Sequence, residues 1–194
     1  MWTISLGMIA LAVVVLLVAV PDGAAAEDQM LFDFDQASDA LGWRTINDTV
    51  MGGVSNSAMA TTGEGSAVFS GYLSLDNYGG FASVRSRARL HDLSAYQGLA
   101  LRVRGDGKRY TLSLKLDSAL DGIMYQAPFQ TVAGEWTEVR LPFASCCAPV
   151  FRGRQVPDTP PLDASKIMQF GLMIAEKQEG PFRLEIDWIR AYGE

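Results

Sequence analysis

Apolar and polar positions alternate with a period of two over most of the chain. In "GLALRVRG", Leu99, Leu101 and Val103 fall on one face and Ala100, Arg102 and Arg104 on the other. "YTLSLKLD" sets Leu112, Leu114 and Leu116 against Thr111, Ser113 and Lys115. "GPFRLEIDWIRAY" sets Phe182, Leu184, Ile186 and Trp188 against Arg183, Glu185 and Asp187. One apolar face at period two is the pattern of half-buried antiparallel strands. Further strands are expected at 30–34, 43–46, 66–74, 81–88, 123–130, 136–141 and 167–176, between the turn signals "TTGEGS", "DNYGG", "RGDGKR", "DSALDG", "VAGE" and "KQEGP". No segment carries a long period of 3.6; short helical turns are expected at 36–41, 92–97 and 163–167. About ten short strands separated by such turns predict an all-β jelly-roll sandwich. In that frame Trp43, Trp136 and Trp188 read as core residues. The Pro-rich stretch 148–166 reads as the one long loop, a kind usually functional or mobile.

The length of 194 residues suits one domain, and 48% hydrophobic residues suffice for a sizeable core. Residues 1–20 carry no charged side chain, and Ala24 and Ala26 are spaced like the small residues of a signal-peptidase site. This predicts a secretory signal over 1–26 and a single domain over 27–194, exported to a periplasmic or other extracytoplasmic space. The alternative is a retained N-terminal membrane anchor, since about 20 apolar residues can span a bilayer. The net charge of −6 argues against nucleic acid as a partner.

Candidate chemistry is sparse. His91 is the only histidine, so neither a histidine-based nucleophile system nor a histidine zinc site is indicated, and none of the 22 acids is singled out as a catalytic pair. No catalytic residue and no cofactor or metal is assigned. Asp33, Asp35, Asp48 and Asp76 lie in or beside turns and are a weak calcium pattern. The adjacent Cys146 and Cys147 read as two small apolar residues at a loop edge. Neighbouring Cα atoms are about 3.8 Å apart, while disulfides span roughly 4.4–6.8 Å, so a bond between them is strained.

Two features invite a binding role. "DTVMGGVSNS" and "DNYGGFASVR" both run from an Asp through a Gly-Gly pair to a hydrophobic residue and a Ser. Asp48 is expected to cap its turn. Gly52 and Gly53 are expected to let the backbone pass close to Trp43, with Gly79 and Gly80 the matching pair. Asn47 in "NDT" is also a glycosylation sequon. Second, Arg85, Arg102, Arg104 and Lys115 point away from the apolar residues of three strand segments. They would make a basic sheet face suited to planar acceptors. Arg152 and Arg154, in the Pro-rich loop, are the next candidates.

"FDFD", Trp43, "NDTVMGGVSNS", "FSGYLSLDNYGGFASVRS", Trp136, "LPF", "FRGR" and "GLMIAEKQEGPFRLEIDWIRAY" occur in this order. Together they resemble the complex I intermediate-associated protein 30 family, over about residues 31–192. The resemblance implies a galactose-binding-domain-like β-sandwich. It also implies a non-catalytic, chaperone-like assembly factor, since the mitochondrial members assist assembly of NADH:ubiquinone oxidoreductase. A protein partner is therefore expected, a membrane or respiratory complex subunit being one kind, with Asp48 and Ser55 as contact candidates. The alternative is a carbohydrate-binding module using Tyr72, Tyr78 and Tyr125 against a glycan.

Overall fold

The computed structural model describes residues 26–35 and 40–193, apart from the side chains of 145 and 146. The chain folds as two antiparallel sheets. One contains β3 (Asn56–Thr61), β4 (Ala67–Leu73), β13 (Gly180–Tyr192), β6 (Gly98–Arg104) and β9 (Trp136–Pro142) in that spatial order, with β1 (Gln29–Phe32) also paired to β13. The other runs β11 (Arg154–Gln155), β10 (Ala148–Phe151), β8 (Met124–Gln130), β7 (Arg109–Lys115), β12 (Gln169–Ile174), β5 (Ala82–Ser86), β2 (Trp43–Thr45). The alternation of the sequence is what allows this: Leu99, Leu101 and Val103 of β6 meet Leu112, Leu114, Phe170 and Leu172 of the second sheet in one core. The expected all-β sandwich is the fold found.

Three strands were not foreseen. β3 lies at a sheet edge and its letters, "NSAMAT", are small and weakly apolar; only Met59 packs on the core. β10 and β11 form a hairpin inside the expected Pro-rich loop. The expected turn at 163–167 is a 3-10 turn at Ala164–Lys166, capped by Asp163, whose carboxylate accepts from the Ser165 N–H. Residues 92–97 form turns without a helix, and 36–39 lie outside the described residues.

Trp188 is a correction. The register between β13 and β6 shifts between Ile186 and Trp188, as at a β-bulge. Before the shift Phe182, Leu184 and Ile186 face inward; after it Ile189 and Ala191 do. The extra residue inverts the phase, so Trp188 stands half-buried on the outer face with the Arg190 guanidinium 4.2 Å above its ring. Trp136, at the start of β9, is also half-buried and outside the core, flanked by Arg102 and Arg104. Only Trp43 of the three is a core residue.

The bulge gives a direct test by urea denaturation. Leu184→Ala should cost about 3 kcal/mol or more, as for a fully buried leucine. Trp188→Ala should cost less than about 2 kcal/mol, because it removes an outer-face stack rather than core volume. Equal losses would contradict the inverted phase.

Candidate functional site

Asp48 begins a 3-10 turn at Asp48–Met51 and is 0% exposed. Its Oδ2 accepts from the Ser55 hydroxyl at 2.6 Å, the Gly80 N–H at 2.7 Å and the Phe81 N–H at 3.3 Å; its Oδ1 accepts from the Ser55 N–H at 3.0 Å. The Ser55 hydroxyl in turn accepts from the Ser74 N–H. One carboxylate thus ties together the two Gly-Gly loops that the sequence shows as echoes. The glycines are walls of this site. A Cβ on Gly53 would collide with the Asp48 carboxyl group, and one on Gly79 would sit 2.6 Å from Oδ2. Gly52 ends the turn at φ +94°, in the left-handed region. The expected approach to Trp43 is therefore replaced by approach to Asp48.

Burial pushes the Asp48 carboxyl up, but the hydrogen bonds from Ser55, Gly80 and Phe81 outweigh it and hold it below its ordinary value. A carboxylate filled by N–H and O–H donors has no lone pair turned to a cation. Among the described residues no group of three His, Cys, Asp or Glu side chains is placed to hold a metal. Asn47 lies beside the knot: its Oδ1 accepts from the Ser57 hydroxyl and the Ser83 N–H, so the amide is engaged inside the protein.

The knot carries an apolar tip. Val50, Met51 and Val54 from the first loop and Leu75 and Tyr78 from the second are exposed, Tyr78 completely at 100%. Asn77 and Tyr78 have φ of +54° and +61°. Asn adopts the left-handed region readily, whereas for Tyr78 it costs roughly 1–2 kcal/mol. The hydrogen bonds that Asp48 accepts from Gly80 and Phe81, just beyond, hold this turn in place. The sequence singles out the loop; the exposed tip depends on which residues the Asp48 contacts turn inward, and no periodicity encodes that.

The expected basic face divides in two. Arg102 and Arg104 lie on the outer face of the six-stranded sheet, paired with Asp187 at 2.6 Å and Glu185 at 2.8 Å. Arg85 and Lys115 lie on the opposite outer face of the molecule. There they hold residues 117–122 against the seven-stranded sheet. Arg85 Nη1 donates to the Leu120 carbonyl at 3.0 Å, and Lys115 Nζ donates to the Asp121 carbonyl at 2.9 Å and pairs with Asp117 at 3.0 Å. Arg152 grips the same strap through Asp121 at 2.6 Å. Arg85 is 7% exposed, not a surface residue as expected. Arg154 is exposed on β11. His91 is half-buried edge-on to Phe170, a packing role. Cys147 is half-buried against the core.

A family model described as complex I intermediate-associated protein 30 matches residues 32–186. The protein of that name from Drosophila melanogaster, designated mitochondrial, is 27% identical over 186 residues, covering 84% of this chain and 62% of its own length. The mouse protein is 27% identical over 198 residues, covering 89% of this chain and 60% of its own. The chain thus spans less than two thirds of these relatives. Among solved structures, the family 11 carbohydrate-binding module of a Clostridium thermocellum cellulase superposes with a TM-score of 0.65 at 20% identity, covering 88% of this chain and 97% of that one. An agarase superposes at 0.59 with 14% identity over 87% of this chain and 25% of that one. At such identities the likeness establishes the fold alone. The mitochondrial designation of the relatives overturns the exported, periplasmic location expected from residues 1–26. An uncharged apolar stretch before small residues is too unspecific a pattern to fix an address. Residues 1–25 lie outside the described residues, among which no helix is long and apolar enough to cross a membrane.

Asp48→Asn keeps the size of the side chain but replaces one acceptor oxygen with a donor facing other donors. It should cost about 3 kcal/mol or more at neutral pH, because hydrogen bonds to a buried charge are lost and N–H groups are orphaned. The folded-state carboxyl lies below its unfolded value, so its contribution is present above that value and lost as pH falls through the folded one. The gap between wild type and Asp48→Asn should therefore narrow below about pH 4. Denaturation curves at neutral and acid pH check both; a gap that widens in acid contradicts the assignment.

Proposed function

Because this chain belongs to the complex I intermediate-associated protein 30 family, we propose that it is a non-catalytic, chaperone-like assembly factor that holds a protein partner through the apolar tip of the Asp48 knot. The observation that carries this is the display of Val50, Met51, Val54, Leu75 and Tyr78 in water on a turn held by a buried carboxylate. Clustered apolar side chains of this kind on a soluble surface mark interaction sites. The rigid support lowers the ordering cost of binding.

Charge defines the partner further. Residues 47–57 and 74–81 contain no Lys or Arg, and the exposed Asp76 and Glu179 stand beside the tip, Glu179 accepting from the Leu75 N–H. The complementary surface is an apolar protein segment flanked by basic residues, a description that fits the end of a membrane-spanning segment of a respiratory complex subunit. The same acidic rim disfavours an anionic lipid surface as the occupant. The carbohydrate alternative has less support. Of its candidate rings, Tyr125 is buried and Tyr78 belongs to the apolar tip, which leaves Tyr72 exposed on the six-stranded sheet, and guanidinium groups already lie over the half-exposed rings of Trp136 and Trp188.

The test is capture of tagged protein from mitochondrial membranes of its host, with the bound chains identified by mass spectrometry. Respiratory complex subunits should be enriched by wild type. Met51→Asp with Tyr78→Asp should lose them at unchanged thermal stability, since removing central anchors costs about 2 kcal/mol, roughly thirtyfold in affinity. Equal capture of those subunits by the variant moves the contact elsewhere. No enrichment, with retention on a glycan array, favours the carbohydrate reading.

A further inference from the structure

The outer face of the seven-stranded sheet holds a row of hydrogen-bond donors. The register places Arg44 of β2 opposite Arg85 of β5, Arg85 opposite Gly171 of β12, Gly171 opposite Ser113 of β7, and Ser113 opposite Gln126 of β8. Side chains directly opposite one another on a sheet lie roughly 5 Å apart, and like charges so placed repel. Arg44 and Arg85 are such a pair. Among the described residues neither guanidinium forms an ion pair with a carboxylate.

The remaining members point the same way. Arg44 is exposed and Gln126 half-buried, and neither these two nor Ser113 has a side-chain hydrogen-bond partner among the described residues. Gly171 leaves a gap between side chains in the middle of the row, which the Ser113 hydroxyl partly enters; a Cβ at 171 would collide with that hydroxyl. Arg85 is more than nine-tenths buried, and its guanidinium is served only by the Leu120 carbonyl and, at 3.4 Å, the Met124 thioether. A thioether is a weak acceptor, so no charged acceptor meets this guanidinium among the described residues. Asp117 and Asp121 act on Arg85 through space, but Lys115 and Arg152 already occupy them.

We propose that this row, Arg44, Arg85, Ser113 and Gln126 across the Gly171 gap, binds an oxyanion: a carboxylate or phosphate group carried by a ligand. Two guanidinium groups, a hydroxyl and an amide supply the donors, and guanidinium matches the planar or tetrahedral oxygens of either anion. The bound anion relieves the repulsion between the arginines and gives the buried one a charged acceptor. The strap at 117–122 closes one side, its Leu120 carbonyl sharing Arg85. The site is independent of the partner reading, since none of its residues belongs to the apolar tip.

The experiment is calorimetric titration of the whole protein with inorganic phosphate and, separately, with citrate, against chloride at matched ionic strength. Wild type should bind at least one of the two saturably with one site. Arg44→Gln should weaken that binding roughly tenfold or more while leaving thermal stability without anion unchanged or raised. Arg44→Lys should retain part of it. Arg85→Gln should also lose binding; because it loosens the strap as well, the Arg44 variants decide. Preference for phosphate identifies a phosphate-bearing ligand, and preference for citrate a carboxylate-bearing one. Binding of neither anion beyond the chloride control, or undiminished binding by Arg44→Gln, overturns the proposal and leaves Arg85 as an anchor for the strap.

Discussion

A single carboxylate buried from solvent organises one end of this protein. Burying an ionised group without a counter-charge is among the most expensive arrangements a fold can contain. It persists only when enough donors converge on it. Asp48 meets that condition through Ser55, Gly80 and Phe81. Because those donors come from two loops separate in sequence, satisfying the charge and fixing the loops are the same event. The positive φ angles at Asn77 and Tyr78, the missing side chains at Gly53 and Gly79, and the outward display of Tyr78 all follow from that requirement.

The two outer faces are built on different electrostatic principles. On the six-stranded sheet, every arginine in the central region is answered. Glu185 sits between Arg104 and Arg183 and also accepts from Ser66; burial raises its carboxyl, and these bonds bring it below the ordinary value. Arg102 and Arg190 lie on tryptophan rings. That face is internally complete. On the seven-stranded sheet, Arg44 and Arg85 face each other without a carboxylate, and only the strap is neutralised. Incomplete charge on one face and exposed apolar surface at one end are where external partners and ligands have something to gain.

Much of the fold was legible because period two is a strong signal when one face is buried: β4, β6, β7, β8, β9 and β12 lie where alternation puts them. β3 escaped because its core contribution is only Met59, and β10 and β11 because proline residues disguise a short hairpin. Trp188 was misread because one extra residue at the bulge is silent in composition yet turns every later side chain over. The candidate site was legible in part. Asp48, Ser55 and the two Gly-Gly pairs stand out as letters. Their convergence does not, since Asp48 and Gly80 are 32 positions apart and nothing local ties them. The shared basic face failed for the converse reason: residues alternating alike on neighbouring segments can belong to different sheets, as Arg85 and Arg102 do.

That Asp48 is the fixed point of the loop end is tested most directly by amide hydrogen exchange, read residue by residue. The N–H groups of Ser55, Gly80 and Phe81 lie in loops, yet they should exchange as slowly as those of neighbouring sheet strands, because opening any of them strips a donor from a buried charge. In Asp48→Asn the same three should lose protection while β6 and β13 keep theirs. Exchange of Ser55, Gly80 and Phe81 in the wild type as fast as that of the exposed turn at Gly63 would contradict the account.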